Sequence, residues 1–396
     1  MISQRLNSIG ISKTMEVASK AIELKSAGVN LIDLSVGEPD FPTPLHIKDA
    51  AKTALDDDLT KYTQNNGTIE LRNAIARKLK NDNGLTYSSD QIIVCTGAKQ
   101  ALFNAVQTLV DEGDEVILPT PAYVSYIQMV SFAGGKIKQI QTSQDSGFKL
   151  SSKDLSDVIT NKTKLLILCN PCNPTGTVYS KQELTKIVDV ILKNNLFVIC
   201  DEIYEKLIYD DLQFTSIASL SEEIKERSVI VNGFSKAYSM TGWRIGYAAA
   251  TKQIIANMSK LQSHSTSCTS SISQAAGLKA LISDQNCVIQ MRHEFENRRN
   301  LVFQEICSMD YLSAVIPKGA FYIFVNVSKL FGKSTTNFTI KNSEDLALFL
   351  LKEAKVVVVP GSGFEAEGYI RISFASSIEN LKEGIRRIKS TLSNLQ

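Results

Sequence analysis

An α/β fold with a mostly parallel β-sheet is predicted from the order of apolar segments along the chain. From about residue 90, short apolar runs alternate with stretches of helical periodicity. The strand candidates are residues 92–95, 115–118, 164–169, 196–200 and 229–231. Strands that alternate with helices form parallel sheets, which bind ligands at the carboxyl ends of their strands. We therefore expect the functional residues to follow these strands.

The size and charge of the chain limit its class. It has 396 residues, of which 43% are hydrophobic and 21% charged, and its formal net charge is +2. A chain of this length holds a large core and is expected to form two domains. The near-neutral balance offers no electrostatic footprint for nucleic acid or for an anionic membrane.

Membrane insertion and secretion are not expected either. The longest apolar runs, at 165–169 and 356–359, are far too short to span a bilayer. Residues 1–6 lack the apolar region of a secretory signal. We therefore expect a cytoplasmic protein.

The cysteines and histidines predict no metal site. Seven cysteines are scattered through apolar runs, which is typical of core residues in a reducing compartment. Cys169 and Cys172 form one C-x-x-C pair, but no second pair or nearby histidine pair completes a metal site. With only three histidines and no G-x-S-x-G motif, a serine hydrolase is also disfavoured.

The N-terminal part begins with a predicted helix at residues 12–27, which Gly28 should end. A short strand at 31–34 leads into 37–44, Gly-Glu-Pro-Asp-Phe-Pro-Thr-Pro. The prolines predict a rigid, extended segment, and Gly37 allows a ligand to approach the backbone closely.

Residues after the first two predicted strands suit an aromatic phosphate ester. Gly97, Ala98 and Lys99 follow the first strand and open a helix, whose free N–H groups and dipole favour a phosphate. Tyr123 follows the second strand and could stack on a pyridine ring.

Residues after the next two strands add polar groups. The segment 170–176, Asn-Pro-Cys-Asn-Pro-Thr-Gly, contains Asn173, and Asp201 and Tyr204 follow the next strand. An aspartate at the end of a buried strand is costly unless it is paired. A protonated pyridine nitrogen is a partner that makes sense of Asp201.

Segment 232–247 is the most informative part of the chain. It follows the strand at 229–231 and contains Lys236 and, eight residues later, Arg244. Partial burial lowers the pKa of a lysine and so favours the neutral amine that reacts with aldehydes. Arginine offers a planar fork for a phosphate. Together they suggest a cofactor with an aldehyde and a phosphate, namely pyridoxal phosphate.

The chain resembles the class I aminotransferases along nearly its whole length. The resemblance is carried by the Ser-Lys at 235–236 with Met-Thr-Gly-Trp-Arg-Ile-Gly-Tyr at 240–247, by the segments 37–44 and 170–176, and by the Arg-Ile-Ser at 371–373. It implies the pyridoxal-phosphate fold type I, with a large domain around a mostly parallel seven-stranded sheet and a smaller α+β domain. We expect the large domain at 45–284 and the small domain at 1–44 and 285–396.

The resemblance also implies roles for individual residues. Lys236 would bind the cofactor and act as general base, Asp201 would hold the ring nitrogen, and Asn173 and Tyr204 would contact the ring hydroxyl. The other implied cofactor contacts are Gly97, Ala98, Lys99, Tyr123, Arg244 and Tyr62. The implied substrate contacts are Gly37, Tyr123, Asn173, Lys99, Thr14 and Arg371, which would clamp the α-carboxylate. Because the family's tyrosine at the position of Tyr62 reaches the neighbouring subunit, a homodimer with shared active sites is expected.

The chain is most similar to the bacterial and plant branch of aspartate aminotransferases, which includes aspartate/prephenate enzymes. In that branch, residues matching Lys99 and Thr14 contact the distal carboxylate of the substrate. The expected reaction is transfer of the amino group from L-aspartate to 2-oxoglutarate, and prephenate is a further candidate acceptor.

Other functions stay open at this point. Tyr123 stands where many aspartate-specific members have tryptophan, and Gly233 lacks a hydroxyl that other members place near the phosphate. An aromatic- or alanine-type aminotransferase, or a carbon–sulfur β-lyase on the same fold, is therefore the alternative. A cofactor-binding regulator is disfavoured because no basic helix-turn-helix segment is visible. A purely structural role is the least favoured.

Overall fold

The structure, a computed structural model, describes residue 6 and residues 13–396, with side chains described from residue 19 onward and at residue 6. Its helices are α1 (Lys13–Ser26), α2 (Leu45–Asp56), α3 (Ile69–Asn83), α4 (Ala98–Leu109), α5 (Ser125–Phe132), α6 (Ser152–Val158), α7 (Lys181–Lys193), α8 (Glu222–Glu226), α9 (Lys252–Ser263), α10 (Ser271–Ile282), α11 (Asn286–Cys307), α12 (Ser343–Phe349) and α13 (Ile378–Leu392).

The strands are β1 (Ile32–Asp33), β2 (Ile92–Cys95), β3 (Glu115–Thr120), β4 (Lys136–Gln141), β5 (Thr163–Cys169), β6 (Phe197–Asp201), β7 (Ser228–Gly233), β8 (Gly246–Ala249), β9 (Ser313–Ala314), β10 (Tyr322–Asn326), β11 (Ser334–Thr335), β12 (Phe338–Thr339), β13 (Val356–Val357), β14 (Val359–Pro360) and β15 (Tyr369–Ser373).

The main sheet has seven strands in the order β2-β8-β7-β6-β5-β3-β4. The pairs from β4 to β7 are parallel, whereas β8 runs antiparallel to both β7 and β2. The predicted α/β fold with a mostly parallel sheet is therefore confirmed. The five predicted strands are present. Two were not predicted: β4, a polar strand at the edge of the sheet, and the short β8.

Helices cover both faces of the main sheet, as parallel sheets require. Val116 packs into one core with Ala105 of α4, while the next residue, Ile117, packs into another with Leu184 of α7. Successive side chains of β3 point to opposite faces of the sheet and so contribute to both cores.

A second, antiparallel sheet has the order β14-β15-β10-β9. Its core includes Phe295 of α11 and Leu381 of α13, together with Tyr204 from the segment after β6. This shared core places the second sheet over the carboxyl edge of the main sheet. The predicted domain boundaries fall at the start of α2 and between α10 and α11, and the division stays a prediction.

Local signals explain where several helices begin and end. Ser180 accepts a hydrogen bond from the N–H of Glu183, whose carboxylate accepts from the N–H of Ser180, so a capping box opens α7. Gly28 has φ of 82° and follows the end of α1, as predicted.

One helical expectation was wrong. The sequence after Tyr247 predicts one long helical region to about Ile282, polar and serine-rich near 262–273, but residues 264–270 separate α9 from α10. Serine and threonine side chains compete for backbone groups there, and Ser270 caps α10 by accepting from the N–H of Ser273. Within the described part of the chain, no helix is both long and apolar enough to cross a membrane.

Candidate active site

A cavity of about 660 Å³ lies between the carboxyl edge of the main sheet and the second sheet. Asp201 at the end of β6 is in register with Cys169 at the end of β5, so the segments that follow these strands meet. The predicted site residues that line the cavity are Gly37, Ala98, Lys99, Tyr123, Asn173, Asp201, Tyr204, Lys236, Arg244 and Arg371. Residues up to 336 positions apart, such as Ser35 and Arg371, meet here.

Lys236 projects into this cavity from the segment after β7. Its amine donates a hydrogen bond to the carbonyl oxygen of Gly37 and lies 5.6 Å from the ring centre of Phe321. Burial, followed by the positive charge of Arg371, lowers the pKa of Lys236 to about 8, and Glu38 opposes this shift. About a tenth of the amine is therefore neutral and nucleophilic at pH 7, far more than for an ordinary lysine.

The start of α4 forms an anion cradle with Arg244. The first N–H groups of a helix have no intrahelical acceptor, so those of Ala98 and Lys99 are available to a ligand. A Cβ at Gly97 would lie 2.5 Å from Nη2 of Arg244, and Gly97 also has φ of 82°. Glycine at this position therefore lets the guanidinium approach the helix start. The donors fit a phosphate group.

The backbone of β8 packs closely against the start of α4 in the same cradle. A Cβ at Gly246 would lie 2.4 Å from the backbone nitrogen of Ala98, so only glycine lets β8 come this close. Arg244 itself has φ of 51°, and its Nη1 donates to the carbonyl oxygen of Thr241 at 2.8 Å. Strained non-glycine backbone is concentrated at ligand-binding sites.

Asp201 is a buried carboxylate with an exposed fraction of 5%. The Tyr126 hydroxyl donates to Oδ2 at 2.6 Å, and the N–H of Ile203 donates to Oδ1 at 3.3 Å. Burial raises the pKa of Asp201, and the hydrogen bond from Tyr126 partly offsets this rise. Such a carboxylate suits a cationic partner in the cavity, such as a protonated ring nitrogen.

Arg371, from β15, reaches the cavity with its guanidinium partly engaged. Nη1 donates to Oδ1 of Asn173 at 3.0 Å, and Nη2 donates to the carbonyl oxygen of Ser35 at 2.6 Å. Nε is buried without a hydrogen-bond partner among the described residues. A carboxylate ligand would satisfy this donor group, because guanidinium and carboxylate pair in a fork.

Lys99 and Tyr123 lie together at the cavity wall. Nζ of Lys99 is 5.5 Å from the centre of the Tyr123 ring, and salt bridges within the described residues do not include Lys99. Its charge is thus available to a ligand. Tyr123 also packs edge-on against Tyr126 at 5.5 Å.

Gly97 adjoins the cavity through its contact with Arg244, and two further predicted residues are not among those that line the cavity. Tyr62 is 91% exposed, in the loop before α3. Thr14 belongs to α1, but its side chain lies outside the part of the chain that the structure describes. Neither role is tested, and both stay predictions.

Several residues of the cavity were not predicted from the sequence. Tyr126 and Tyr322 both line it, as do Ser35, Glu38 and Phe364. Tyr126 lies in α5, three residues after Tyr123 in the sequence. Tyr322 lies on β10; the sequence at 317–324 predicts a turn that enters a strand, and no site residue was predicted there.

Cys169 lines the cavity, and Cys95 and Cys200 are buried in the core. The seven cysteines are free thiols. Across residue 6 and residues 13–396, no group of three or more histidine, cysteine or acidic side chains is arranged to hold a metal ion.

Comparison with known proteins gives a consistent set of similarities. Residues 29–388 match the family model "Aminotransferase class I and II". The chain is 43% identical to an aspartate aminotransferase of Bacillus subtilis (strain 168) over 388 residues, which cover 98% of each protein. It is 45% identical to a probable aspartate/prephenate aminotransferase of Rickettsia prowazekii (strain Madrid E) over 391 residues, again 98% of each.

A similar solved structure is that of an aspartate aminotransferase from Rhizobium meliloti. The two folds superpose with a TM-score of 0.97 over 100% of both chains, at 41% sequence identity. The match covers both the main sheet and the second sheet.

Proposed function

Because the chain belongs to the family of class I and II aminotransferases, we propose that it transfers the amino group of L-aspartate to 2-oxoglutarate, giving oxaloacetate and L-glutamate. Prephenate is a second candidate acceptor, supported by the name of the Rickettsia relative. The observation that carries the proposal is the convergence of Lys236, Asp201, Arg244 and Arg371 on one cavity. These groups suit an aldehyde, a ring nitrogen, a phosphate and a carboxylate, respectively.

Pyridoxal 5′-phosphate is the cofactor that fits this set. The cradle formed by Gly97, Ala98 and Arg244 suits its phosphate, and the buried Asp201 suits its ring nitrogen. Tyr123 lies at the cavity wall, where a flat ring could stack on it. When bound, the cofactor supplies an electron-withdrawing ring that stabilises negative charge at the α-carbon of the substrate.

The protein's own groups bind the substrate and move its proton. Lys236, with its lowered pKa, takes the proton from the α-carbon as general base and returns it later. Arg371 binds the α-carboxylate with the N–H groups that its hydrogen bonds to Asn173 and Ser35 leave free. Asp201 remains ionised beside the ring nitrogen and holds the proton there.

The proposal is tested by mixing the purified protein, loaded with pyridoxal 5′-phosphate, with one amino acid and no keto acid. The absorbance of the aldehyde form of the cofactor should decay quickly with aspartate and with glutamate. Decay with arogenate, the amino acid formed when prephenate accepts the amino group, would show that prephenate is also a substrate. Decay only with phenylalanine or alanine would favour the aromatic- or alanine-type alternative. A protein that takes up no cofactor would overturn the proposal.

Capture of the cofactor by cofactor-free protein should depend on pH. The neutral amine of Lys236 is the nucleophile, and its pKa is lowered to about 8. The rate should therefore rise about tenfold per pH unit below this value and level off above it, because the amine is then already neutral. Stopped-flow absorbance measures the rate. A rise that continues up to pH 10, as for an ordinary lysine, would contradict the lowered pKa.

Substitution of Lys99 should change the choice of substrate. We expect Lys99→Ala to lower kcat/KM for aspartate by about 100-fold, because the distal carboxylate loses a charged partner in a partly enclosed site. Alanine, which has no distal carboxylate, is the matched control substrate and should keep its kcat/KM within about threefold. An unchanged ratio between aspartate and alanine would show that Lys99 does not select dicarboxylates.

A homodimer is proposed as the working assembly. Leu45, Leu55 and Leu59 have exposed fractions of 63%, 51% and 51% on and after α2, close in sequence to the exposed Tyr62. Large exposed apolar side chains that cluster mark interfaces. Sedimentation should therefore give a dimer, and Leu55→Glu should shift it towards monomers. A wild-type protein that is monomeric at micromolar concentration would count against shared active sites.

A further inference from the structure

Tyr322 contacts both Tyr204 and Arg371 in the cavity. It is the first residue of β10, paired with Ser373 of β15, and only 1% of it is exposed. Its hydroxyl lies 3.0 Å from the hydroxyl of Tyr204. The structure records no second hydrogen-bond partner for the Tyr322 hydroxyl within the described chain. The hydroxyl of Tyr204 is therefore the hydrogen-bond partner of the Tyr322 hydroxyl.

The ring of Tyr322 contacts a second functional group. The guanidinium carbon of Arg371 lies 4.2 Å from the ring centre, well within the range of a cation–π interaction. Phe321 packs against the ring at 4.7 Å, and Tyr204 meets it nearly edge-on at 6.0 Å. These neighbours fix the ring plane, so the face presented to Arg371 is preorganised.

The surroundings also decide which hydroxyl donates. Both tyrosines are buried, which raises their pKa values and keeps each a neutral phenol with a single hydrogen to give. In the proposed function, Tyr204 gives its hydrogen to the ring oxygen of the cofactor. Tyr204 can then only accept from its neighbour, so Tyr322 is the donor. A donor that accepts a hydrogen bond itself becomes a stronger donor.

We propose that Tyr322 is a positioning residue with two functions, acting on the cofactor through Tyr204 and on the substrate through Arg371. Its hydroxyl orients the hydrogen of Tyr204 towards the cofactor, and its ring holds the guanidinium in place for the α-carboxylate. A Cβ on Gly37 would lie 3.3 Å from the same hydroxyl, so Tyr322 also packs against the backbone that accepts from Lys236. This inference rests on the proposed function.

Two substitutions separate the two functions in the holoenzyme. Tyr322→Phe removes the hydroxyl and keeps the ring. The pH at which the absorbance of the bound cofactor changes should then rise by about half a unit, because the ring oxygen loses part of its hydrogen-bond stabilisation as an anion. The affinity for maleate, an unreactive dicarboxylate, should stay within about twofold because the ring still faces Arg371.

Tyr322→Leu removes the ring as well. Loss of the cation–π contact should weaken maleate binding by about tenfold, in addition to the shift seen with phenylalanine. The pH midpoint of the cofactor absorbance and the affinity for maleate are both measured by absorbance titration. Circular dichroism checks that the variants are folded. If the leucine variant does not fold, Tyr322→Met removes the ring in its place, because the shift in Tyr322→Phe tests the hydroxyl only. Unchanged maleate affinity in a folded variant without the ring would overturn the function of the ring.

Tyr87→Phe is the matched control. Tyr87 is a buried tyrosine outside the cavity whose hydroxyl has no partner in the described part of the chain. Its removal should change neither quantity. A Tyr322→Phe enzyme that titrates like the wild type would overturn this inference and leave the proposed function standing. A wild-type protein that takes up no pyridoxal 5′-phosphate would overturn both.

Discussion

Replacing Lys236 with alanine is expected to lower kcat by at least about 10⁴-fold while the protein still folds. Proton transfer by a well-placed base contributes about 10²–10⁴-fold, and loss of the attachment point for the cofactor adds to this. Folding should survive because the buried amine is a cost to the folded state, as its lowered pKa indicates. Steady-state kinetics with aspartate and 2-oxoglutarate measure the loss, and thermal unfolding of the cofactor-free forms measures the stability.

Lys206→Ala provides a control for the removal of a lysine. Lys206 forms a salt bridge with Asp82 at 2.7 Å and does not line the cavity. We expect its kcat to stay within about twofold of the wild type. Near-normal turnover in Lys236→Ala would end the assignment of Lys236 as the cofactor lysine, whatever the substrate.

Replacing Asp201 with asparagine is expected to lower kcat by about 10³-fold. Asparagine has the same size and can still accept from Tyr126, so the packing is kept. It lacks the negative charge that keeps a proton on the ring nitrogen, and an unprotonated ring stabilises the negative charge at the α-carbon poorly. Single-turnover kinetics with aspartate should place the loss in the chemical step rather than in binding.

Glu202→Gln is the matched control, because Glu202 is the adjacent residue and is also buried. Its Oε1 accepts from Ser216 at 2.6 Å, and it lies outside the lining of the cavity. Burial raises the pKa of Glu202 to about 8, so the side chain is largely neutral at pH 7 and glutamine mimics it. We expect kcat within about threefold of the wild type. Equal losses in both variants would mean that the loss of kcat is not specific to the charge of Asp201.

The parallel core strands could be predicted because each is a short, continuous run of β-branched and aliphatic residues. Asp201 and Lys236 were then found by position, since both follow such a strand. The cradle residues Gly97 and Ala98 followed from the same rule. The polar strand β4 carries no apolar signal strong enough to detect, because it lies at the sheet edge.

The tyrosines that support the site could not be found in this way. Tyr126 reaches Asp201 across 75 positions, and Tyr322 reaches Tyr204 across 118. Such pairs depend on how separate elements pack, and no local pattern encodes them. A tyrosine in a helix or strand is usually a core residue, so residue type alone gives no reason to select these two.

The antiparallel strand β8 has a consequence for engineering this enzyme. Gly233 at the end of β7 is paired with Gly246 at the start of β8, so the intervening connection returns to the point where it began. That connection carries both Lys236 and Arg244, which in the proposed function anchor opposite ends of one small molecule. Its length is therefore set by the dimensions of the molecule held, whereas the turn between β11 and β12 closes only a two-stranded hairpin. Peptide insertions and new chain termini should therefore be placed at the turn between β11 and β12. A single residue added between Lys236 and Arg244 would change the distance between these two side chains.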